Sequence, residues 1–532
     1  MGKDEEKKAL PKEEPKSAKE TAVEGGKKAL DAATEVGNKA VSEAKKFSEK
    51  DFGKFKGKHI LMGVCAVVVL LLLVVIVKGL FGSKDVEYPV IYNNSDSDLY
   101  LMTTKVKSQD KAVKLSSGDS ASDVTYANNT NRYVLFIKNE SLYLYDAKKK
   151  DETTKLVSDV SSTYGFTEDD KYVVAMDEDG TLYSYNFGKD KEKLDSDVAR
   201  VYDASNTKIL YAKDDDLYIR SLNAKKDDRV KVTDEFSYPS LSEDGKNIVY
   251  INDDGDLYLY TISKKDGKKV ASDVLSYICD TKSCTNMYYM VQDGSDTIIY
   301  YYNGKEGKKI VEEATIQAVD VDKQLLVYTT EDDDESTLYF KKGSAEAAKI
   351  EDDLDGIRTV RIFNGKEIYY VTSDGEVKYA KISGNKVTGV KSLAEDAGSL
   401  YEYKNGYVFV ADVPKDKSLG DLYFASNGKA KKVDSDVNTY LIKVSNDGSK
   451  VYYMKDYKNS GDLYVSSGGK GKKIDSDVYT FQYIKDNLIY YIKDYSTSKS
   501  KGDLYRYTGK SVKLAEDVTR IAYTPNSFTK NK

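Results

Sequence analysis

Residues 236–274 read FSYPSLSEDGKNIVYINDDGDLYLYTISKKDGKKVASDV. A short segment, Phe236–Leu241, leads into the turn Ser242-Glu243-Asp244-Gly245. A strand follows at Asn247–Asn252, then the turn Asp253-Asp254-Gly255 and a second strand at Asp256–Thr261. A Lys/Gly loop, the segment Lys268–Ala271 and the triplet Ser272-Asp273-Val274 close the phrase. Asp-Gly between alternating apolar runs is the strongest short-range hairpin signal, so the stretch predicts four short antiparallel strands.

The phrase is one of a series. An acidic turn followed by Leu-Tyr, or an equivalent pair, places its first apolar residue at Leu99, Leu142, Leu182, Leu217, Leu257, Ile299, Leu338, Val377, Leu422, Leu463 and Leu504. The intervals run from 35 to 45 residues. A period of this size decides the fold before any local motif does. No helix-period stretch interrupts the units, which excludes βαβ folds and leucine-rich solenoids. In Leu257-Tyr258-Leu259-Tyr260 the leucines point to one face and the tyrosines to the other, so both faces are apolar. A sheet apolar on both faces, in a chain without helices, must be covered by other sheets. Four-stranded sheets every forty residues are the blades of a β-propeller. The fourth segment carries paired lysines (Lys268-Lys269, Lys308-Lys309, Lys431-Lys432, Lys472-Lys473), which block edge-to-edge aggregation of an outer strand.

The first unit lacks its leading strand, since Tyr88–Asn93 already fits the second position, and a spare leading strand, Thr519–Tyr523, stands at the C-terminus. Pairing the two would close a ring. Eleven blades exceed the usual four to eight per ring, so two rings are expected. The signature fades between about 296 and 380, where Ser-Asp-Val is missing. The expected rings are therefore 83–315 and 316–532, with a single very large ring as the alternative.

Ser242-Glu243-Asp244-Gly245-Lys246, then Ile248-Val249-Tyr250, then Gly255-Asp256-Leu257-Tyr258-Leu259-Tyr260 resembles the repeat of TolB-like propellers. It is also similar to the N-terminal propellers of the dipeptidyl-peptidase and prolyl-oligopeptidase families. The phrase returns at Ser445-Asn446-Asp447-Gly448 with Gly461-Asp462-Leu463-Tyr464, and the resemblance covers most of 88–525. It implies a fold shared by proteins of many functions and says little about activity. The hydrolase domain of the peptidase families is absent. The nearest approach to Gly-x-Ser-x-Gly, Gly118-Asp119-Ser120-Ala121-Ser122, fails at its last position.

Ile60 to Val77 is an uninterrupted run of apolar residues and Gly, long enough for a transmembrane helix within residues 59–82. Six lysines between 45 and 58 face only Glu49 and Asp51, whereas Lys78 and Lys84 are balanced by Asp85 and Glu87. The positive-inside rule puts the N-terminus in the cytoplasm and the propeller outside, a single-pass protein of the cell membrane. Residues 1–58 read as a charged cytoplasmic segment, partly helical or disordered.

The 82 Lys+Arg and 88 Asp+Glu of the 532-residue chain nearly balance, which argues against a general nucleic-acid binder. The single histidine, His59, borders the span, so the outer part builds neither a Ser-His-Asp system nor a His-ligated metal site. No cofactor is expected. Cys65 lies in the span, and Cys279 and Cys284 face across a turn as candidates for a disulfide. Glu351-Asp352-Asp353-Leu354-Asp355-Gly356 departs from a calcium loop at its first position and at Ile362. The 46 tyrosines, beside 14 Phe and no Trp, read mostly as blade filler, with Tyr164, Tyr238 and Tyr440 as those that would line a ring face. The expected role is a non-enzymatic binding or scaffold module for an envelope protein or cell-wall polymer. A carboxylate-based enzyme acting on polysaccharide, or an accessory subunit of a membrane complex, is the alternative, and no pair of carboxylates is singled out as catalytic.

Overall fold

A computed structural model describes residues 89–528, apart from short loop segments between 103 and 226 and at 333–334, 416, 486, 525 and 527. Residues 1–58 and the run from Ile60 to Val77 lie outside the described residues, and no helix among the described ones is long and apolar enough to cross a membrane. Every element from Val90 to Ile521 is a β-strand.

The stretch 236–274 forms the sheet its turns predict. Ser237–Leu241, Asn247–Ile251, Leu257–Thr261 and Asp266–Ala271 follow one another in sequence and in space, all antiparallel. Gly245 and Gly255 take φ of 66° and 80° in the two acidic turns, where a Cβ would be strained. Six more separate sheets share this order, over 124–157, 160–195, 198–233, 274–311, 314–354 and 357–394. Beyond residue 400, Lys429–Val444, Lys472–Lys485 and Ser511–Ile521 each serve two units. In the first of these, residues 429–438 pair with Leu419–Ser426 as a fourth strand. After a register break, residues 442–444 pair with residues 451–453 as a leading strand. The last sheets are thereby fused into one thirteen-stranded ladder that still resolves into four-stranded groups, and the units number eleven. The C-terminal half of Ser511–Ile521 pairs with Val90–Asn94, Tyr92 opposite Ile521 and Asn93 opposite Arg520. The spare strand completes the sheet that lacked one.

Both faces of each sheet are covered. Val249, Leu257 and Leu259 share a cluster with Met287, Tyr289 and Tyr302 of the next unit, while Ile248 and Tyr250 pack against Leu210 and Leu217 of the preceding one. Every unit shares such a cluster with its successor. Tyr490, Ile492 and Leu504 of the last unit lie in one cluster with Val90, Ile91 and Leu101 of the first. Ala314 and Ile316, on either side of residue 315, belong to a shared cluster, which joins Tyr288 and Ile299 to Leu326 and Tyr328. Asp85–Lys532 is one compact unit.

Within Asp-Leu-Tyr each residue has its own task. The leucine is buried. The tyrosine lies opposite an aromatic residue of the second strand and stacks on it: Tyr258 on Tyr250 at 5.4 Å, Tyr464 on Tyr453 at 5.7 Å, Tyr505 on Tyr491 at 5.4 Å. Such pairs contribute about 0.5–1.5 kcal/mol beyond their buried area. The aspartate takes a lysine of the fourth strand, as in Asp256–Lys269 (2.5 Å), Asp462–Lys473 (2.6 Å) and Asp503–Lys513 (2.7 Å). The tyrosine excess is therefore mostly core, laid out as cross-strand ladders.

Candidate functional site

Ser-Asp-Val is the crossover from the fourth strand of one unit to the leading strand of the next. Its aspartate is left-handed in Asp159, Asp197, Asp273, Asp436 and Asp477, and so is Asp517 of the variant Glu-Asp-Val, with φ between 47° and 57°. Aspartate tolerates that conformation because its short polar side chain bonds locally. The valine that follows is buried in every case. Where the triplet is missing, Glu313, Asp353 and Asp396 hold the same conformation (51°, 55° and 49°) before buried Ala314, Leu354 and Ala397. Backbone bonds clamp the crossover from both sides: Val274 N–H donates to Gly255 O (2.8 Å), and Gln292 N–H donates to Asp273 O (3.0 Å).

The crossovers bring the leading strands alongside one another. Leu241 N–H donates to Asp203 Oδ2 (3.1 Å), the Tyr277 hydroxyl donates to Tyr238 O (2.5 Å), and the Tyr401 hydroxyl donates to Thr439 O (3.4 Å). Thr524 N–H donates to Val124 O (2.6 Å), which joins the C-terminal strand to the second unit. Leading strands of neighbouring units thus lie side by side and present a surface of their own.

That surface differs from the rest of the chain. Six large apolar residues are exposed among the described ones, and five of them (Tyr238, Leu275, Ile278, Tyr440 and Tyr523) lie on leading strands or directly after one. Tyr238 and Tyr440 are the most open, at 78 % and 81 %. Four of the chain's eight arginines, Arg200, Arg358, Arg361 and Arg520, stand on these strands beside only two of its many lysines, Lys443 and Lys485. Elsewhere three arginines have carboxylate partners: Arg132 with Asp146 (2.5 Å), Arg220 with Asp228 (3.5 Å) and Arg229 with Asp195 (2.9 Å). Arg200, Arg358 and Arg361 are exposed and have none among the described residues. Arg200 lies over the Tyr202 ring (4.9 Å), Arg361 Nη1 donates to Val360 O (3.0 Å), and Arg358 donates to the Ser373 carbonyl. The carboxylates of the leading strands are few, and Asp203 and Asp320 among them are engaged by Leu241 N–H and Lys323.

Tyr238 and Tyr440 are where the sequence reading put them, on this surface. Tyr164 is not: it is 5 % exposed and packs with Leu135 and Phe166, because its strand turns that position inward. Cys279 and Cys284 stand Sγ to Sγ at 2.8 Å across the hairpin, whose turn is gathered by Asp280: its carboxylate accepts Ser283, Thr285 and Asn286 N–H (2.7, 2.9 and 2.9 Å). Both cysteines border a cleft of about 570 Å³ with Tyr238, Leu275 and Tyr277. Sequence reasoning missed the arginines because it searched for histidines, cysteines and acidic motifs; their crowding into leading strands was the available signal.

Three carboxylates act as acceptors between neighbouring units. Tyr211, Tyr453 and Tyr491 donate to Asp195, Asp434 and Asp475 of the preceding unit's fourth strand (2.7, 2.8 and 2.6 Å), and Lys213, Lys455 and Lys493 close on the same groups. Burial works to raise Asp195 and Asp475, but the tyrosine and lysine bonds outweigh it and hold both below the usual range. In the segment compared with a calcium loop, Glu351 is engaged by Tyr370 and Lys378 and Asp352 by Lys349. Among the described residues no three His, Cys, Asp or Glu gather to hold a metal ion.

No protein-family model matches the chain, and no curated protein matches it in sequence. Solved structures do. A eukaryotic initiation factor is 11 % identical, covering 83 % of this chain and 100 % of its own, at a TM-score of 0.41. Hsv2 of Kluyveromyces lactis is 13 % identical over 49 % of this chain and 94 % of its own, at 0.29. PorZ, a surface component of the type-IX secretion system of Porphyromonas gingivalis, is 11 % identical over 74 % of this chain and 59 % of its own, at 0.24. Hsv2 and PorZ are β-propeller folds. Likenesses this distant bear on no functional question.

Proposed function

We propose that the chain is a membrane-anchored, extracytoplasmic binding or scaffold protein, a TolB-like propeller whose eleven units close as one ring and whose partner is an envelope protein or cell-wall polymer. The carrying observation is the concentration of exposed apolar side chains on the leading strands, with Tyr238 and Tyr440 nearly fully open. Large apolar groups exposed on one shared surface and scarce elsewhere mark an interaction site. The single ring is supported by the unbroken sequence of shared clusters and by the pairing of the first and last strands. The anchor rests on Ile60 to Val77 and the lysines before it.

The polysaccharide-enzyme alternative needs one carboxyl kept protonated as an acid. Among the described residues, the carboxylates whose affinity for protons departs from the ordinary are shifted the other way, Asp195, Asp244, Asp280 and Asp475 among them. That favours binding over catalysis.

A photo-crosslinking residue placed at 440 in living cells should capture a discrete partner, and one at 390, exposed on an outer strand, should not. Equal capture at both positions would defeat the assignment of the surface. Protease added to intact cells should release the fragment that follows the span; protection of the whole chain would defeat the topology.

A further inference from the structure

We infer that the leading-strand surface takes an acidic polysaccharide, a chain of sugars bearing carboxylate or phosphate groups, and this rests on the binding reading above. In a chain of net charge −6, cations have abundant carboxylates to pair with, and Arg132, Arg220 and Arg229, all off the leading strands, do pair. Arg200, Arg358 and Arg361 stay exposed without an ion pair, on strands nearly cleared of free carboxylates. Lys443, two leading strands beyond Arg358 and Arg361, is exposed in the same way. An unpaired guanidinium presents a planar fork that matches a carboxylate or phosphate with two parallel hydrogen bonds, which an ammonium does not. The use of Arg here, in a chain that elsewhere prefers Lys, fits that need.

The aromatic residues decide between polyanions. Tyr238, Tyr440 and Tyr523 stand open on the same surface, interleaved with the basic positions. A tyrosine offers a flat apolar face with a polar tip, suited to the carbohydrate ring between two charged groups. An acidic peptide would leave those faces wet between its side chains. The sites fall on sheets spread around the chain: Arg200, Tyr238, Arg358 and Arg361, Tyr440, then Arg520. A single small anion touches one of them; an extended polymer touches several.

The test uses the full-length protein in detergent and measures binding to polygalacturonate (carboxylate), a phosphomannan (phosphate) and neutral dextran. At least one acidic polymer should bind and dextran should not, with binding weakened by salt; which of the two binds tells carboxylate from phosphate. Removing the cations with Arg200→Ala, Arg358→Ala and Arg361→Ala together should weaken it about tenfold or more. A control of equal charge, Lys308→Ala, Lys431→Ala and Lys472→Ala on fourth strands, should leave it within about threefold. Loss in the control equal to that in the arginine variant would overturn the site. Binding of polyglutamate or single-stranded DNA as tight as that of either polysaccharide would overturn the ligand class. If no polysaccharide binds while the crosslink from position 440 still captures a protein, this inference fails and the binding reading stands; if neither occurs, both fail.

Discussion

Tyr491 illustrates how the chain uses its commonest aromatic residue. Its ring is fully buried and stacks on Tyr505, while its hydroxyl reaches Asp475 of the preceding sheet at 2.6 Å. Phenylalanine keeps the ring and loses the link, so Tyr491→Phe should cost about 1.5–3 kcal/mol, the range for a bond to a charged acceptor. Tyr238→Ala, on an open site, should stay within about 0.5 kcal/mol. Urea unfolding of the two variants checks the contrast. The same links set an acid limit. Asp195 and Asp475 are held low in the folded state, so the stability they add is present above the unfolded carboxylate value of about 4 and is lost as pH falls through their folded values. Melting temperature should be flat from pH 5 to 7 and fall below about pH 4, less steeply in an Asp195→Asn, Asp475→Asn variant. An equally steep fall would assign the acid limit to other groups. Cys279 and Cys284 sit across a hairpin already closed by Asp280, so a bond there should form in an oxidising compartment with little gain in stability, the loop being short. Mass spectrometry of protein alkylated before reduction should find both thiols blocked from labelling. The sequence showed the tyrosine excess and the cysteine pair as such. It did not show Tyr–Asp–Lys as a link between sheets, because the partners are separated by a crossover and meet only once two sheets pack.

At the level of the element, the crossover explains why part of the repeat was hard to read. Ser-Asp-Val was visible as a recurring triplet, and its disappearance between about 296 and 380 suggested an interruption. The structure keeps the geometry there and changes the residues: Glu313 and Asp353 have the φ of Asp273. What the fold requires is a left-handed residue followed by a small or branched apolar one that seals the start of the leading strand. Several residue types meet that requirement, so a search for one triplet misses some of them. The hairpins were legible throughout because Asp-Gly and Leu-Tyr are tied to one turn geometry and one stacked pair. Substitution at position 273 separates conformation from chemistry. Asp273→Gly should be close to neutral, since glycine enters the left-handed region freely. Asp273→Val should cost about 1–2 kcal/mol, because a β-branched side chain there collides with the following carbonyl. Both variants keep the Asp273 carbonyl that accepts Gln292 N–H. Equal losses in thermal stability would show that the carboxylate, not the backbone angle, is what the position needs.

For the whole molecule the open question is how eleven sheets close, and the sequence answered it only in part. It gave the number of units and the pairing of the ends, both local in pattern. The division at 315/316 came from a count that usually limits rings and from the fading of Ser-Asp-Val between about 296 and 380. Across it, Tyr288 and Ile299 pack on Leu326 and Tyr328 as neighbouring sheets do elsewhere. If the chain forms two rings, each half has its own closing pair and folds alone. The strand pairs point the other way, because the partner of Val90–Asn94 is the far end of the chain and not a strand near 315. A single ring cut into residues 85–315 and 316–532 leaves each part with two bare sheet faces, and the first part with a three-stranded sheet besides. Expressed separately, both parts should aggregate or show no cooperative melting. Expressed together, they should recover a soluble 1:1 complex, since the cut takes only two residues from the start of the strand Ala314–Asp320 and the facing sheets remain complementary. Cooperative, independent melting of the two parts, with no tendency to associate, would establish two rings. The same experiment bears on the leading-strand surface. In a single ring Arg200 and Arg358 lie on one wall although they fall in different halves, so the mixed complex should bind as the intact chain does.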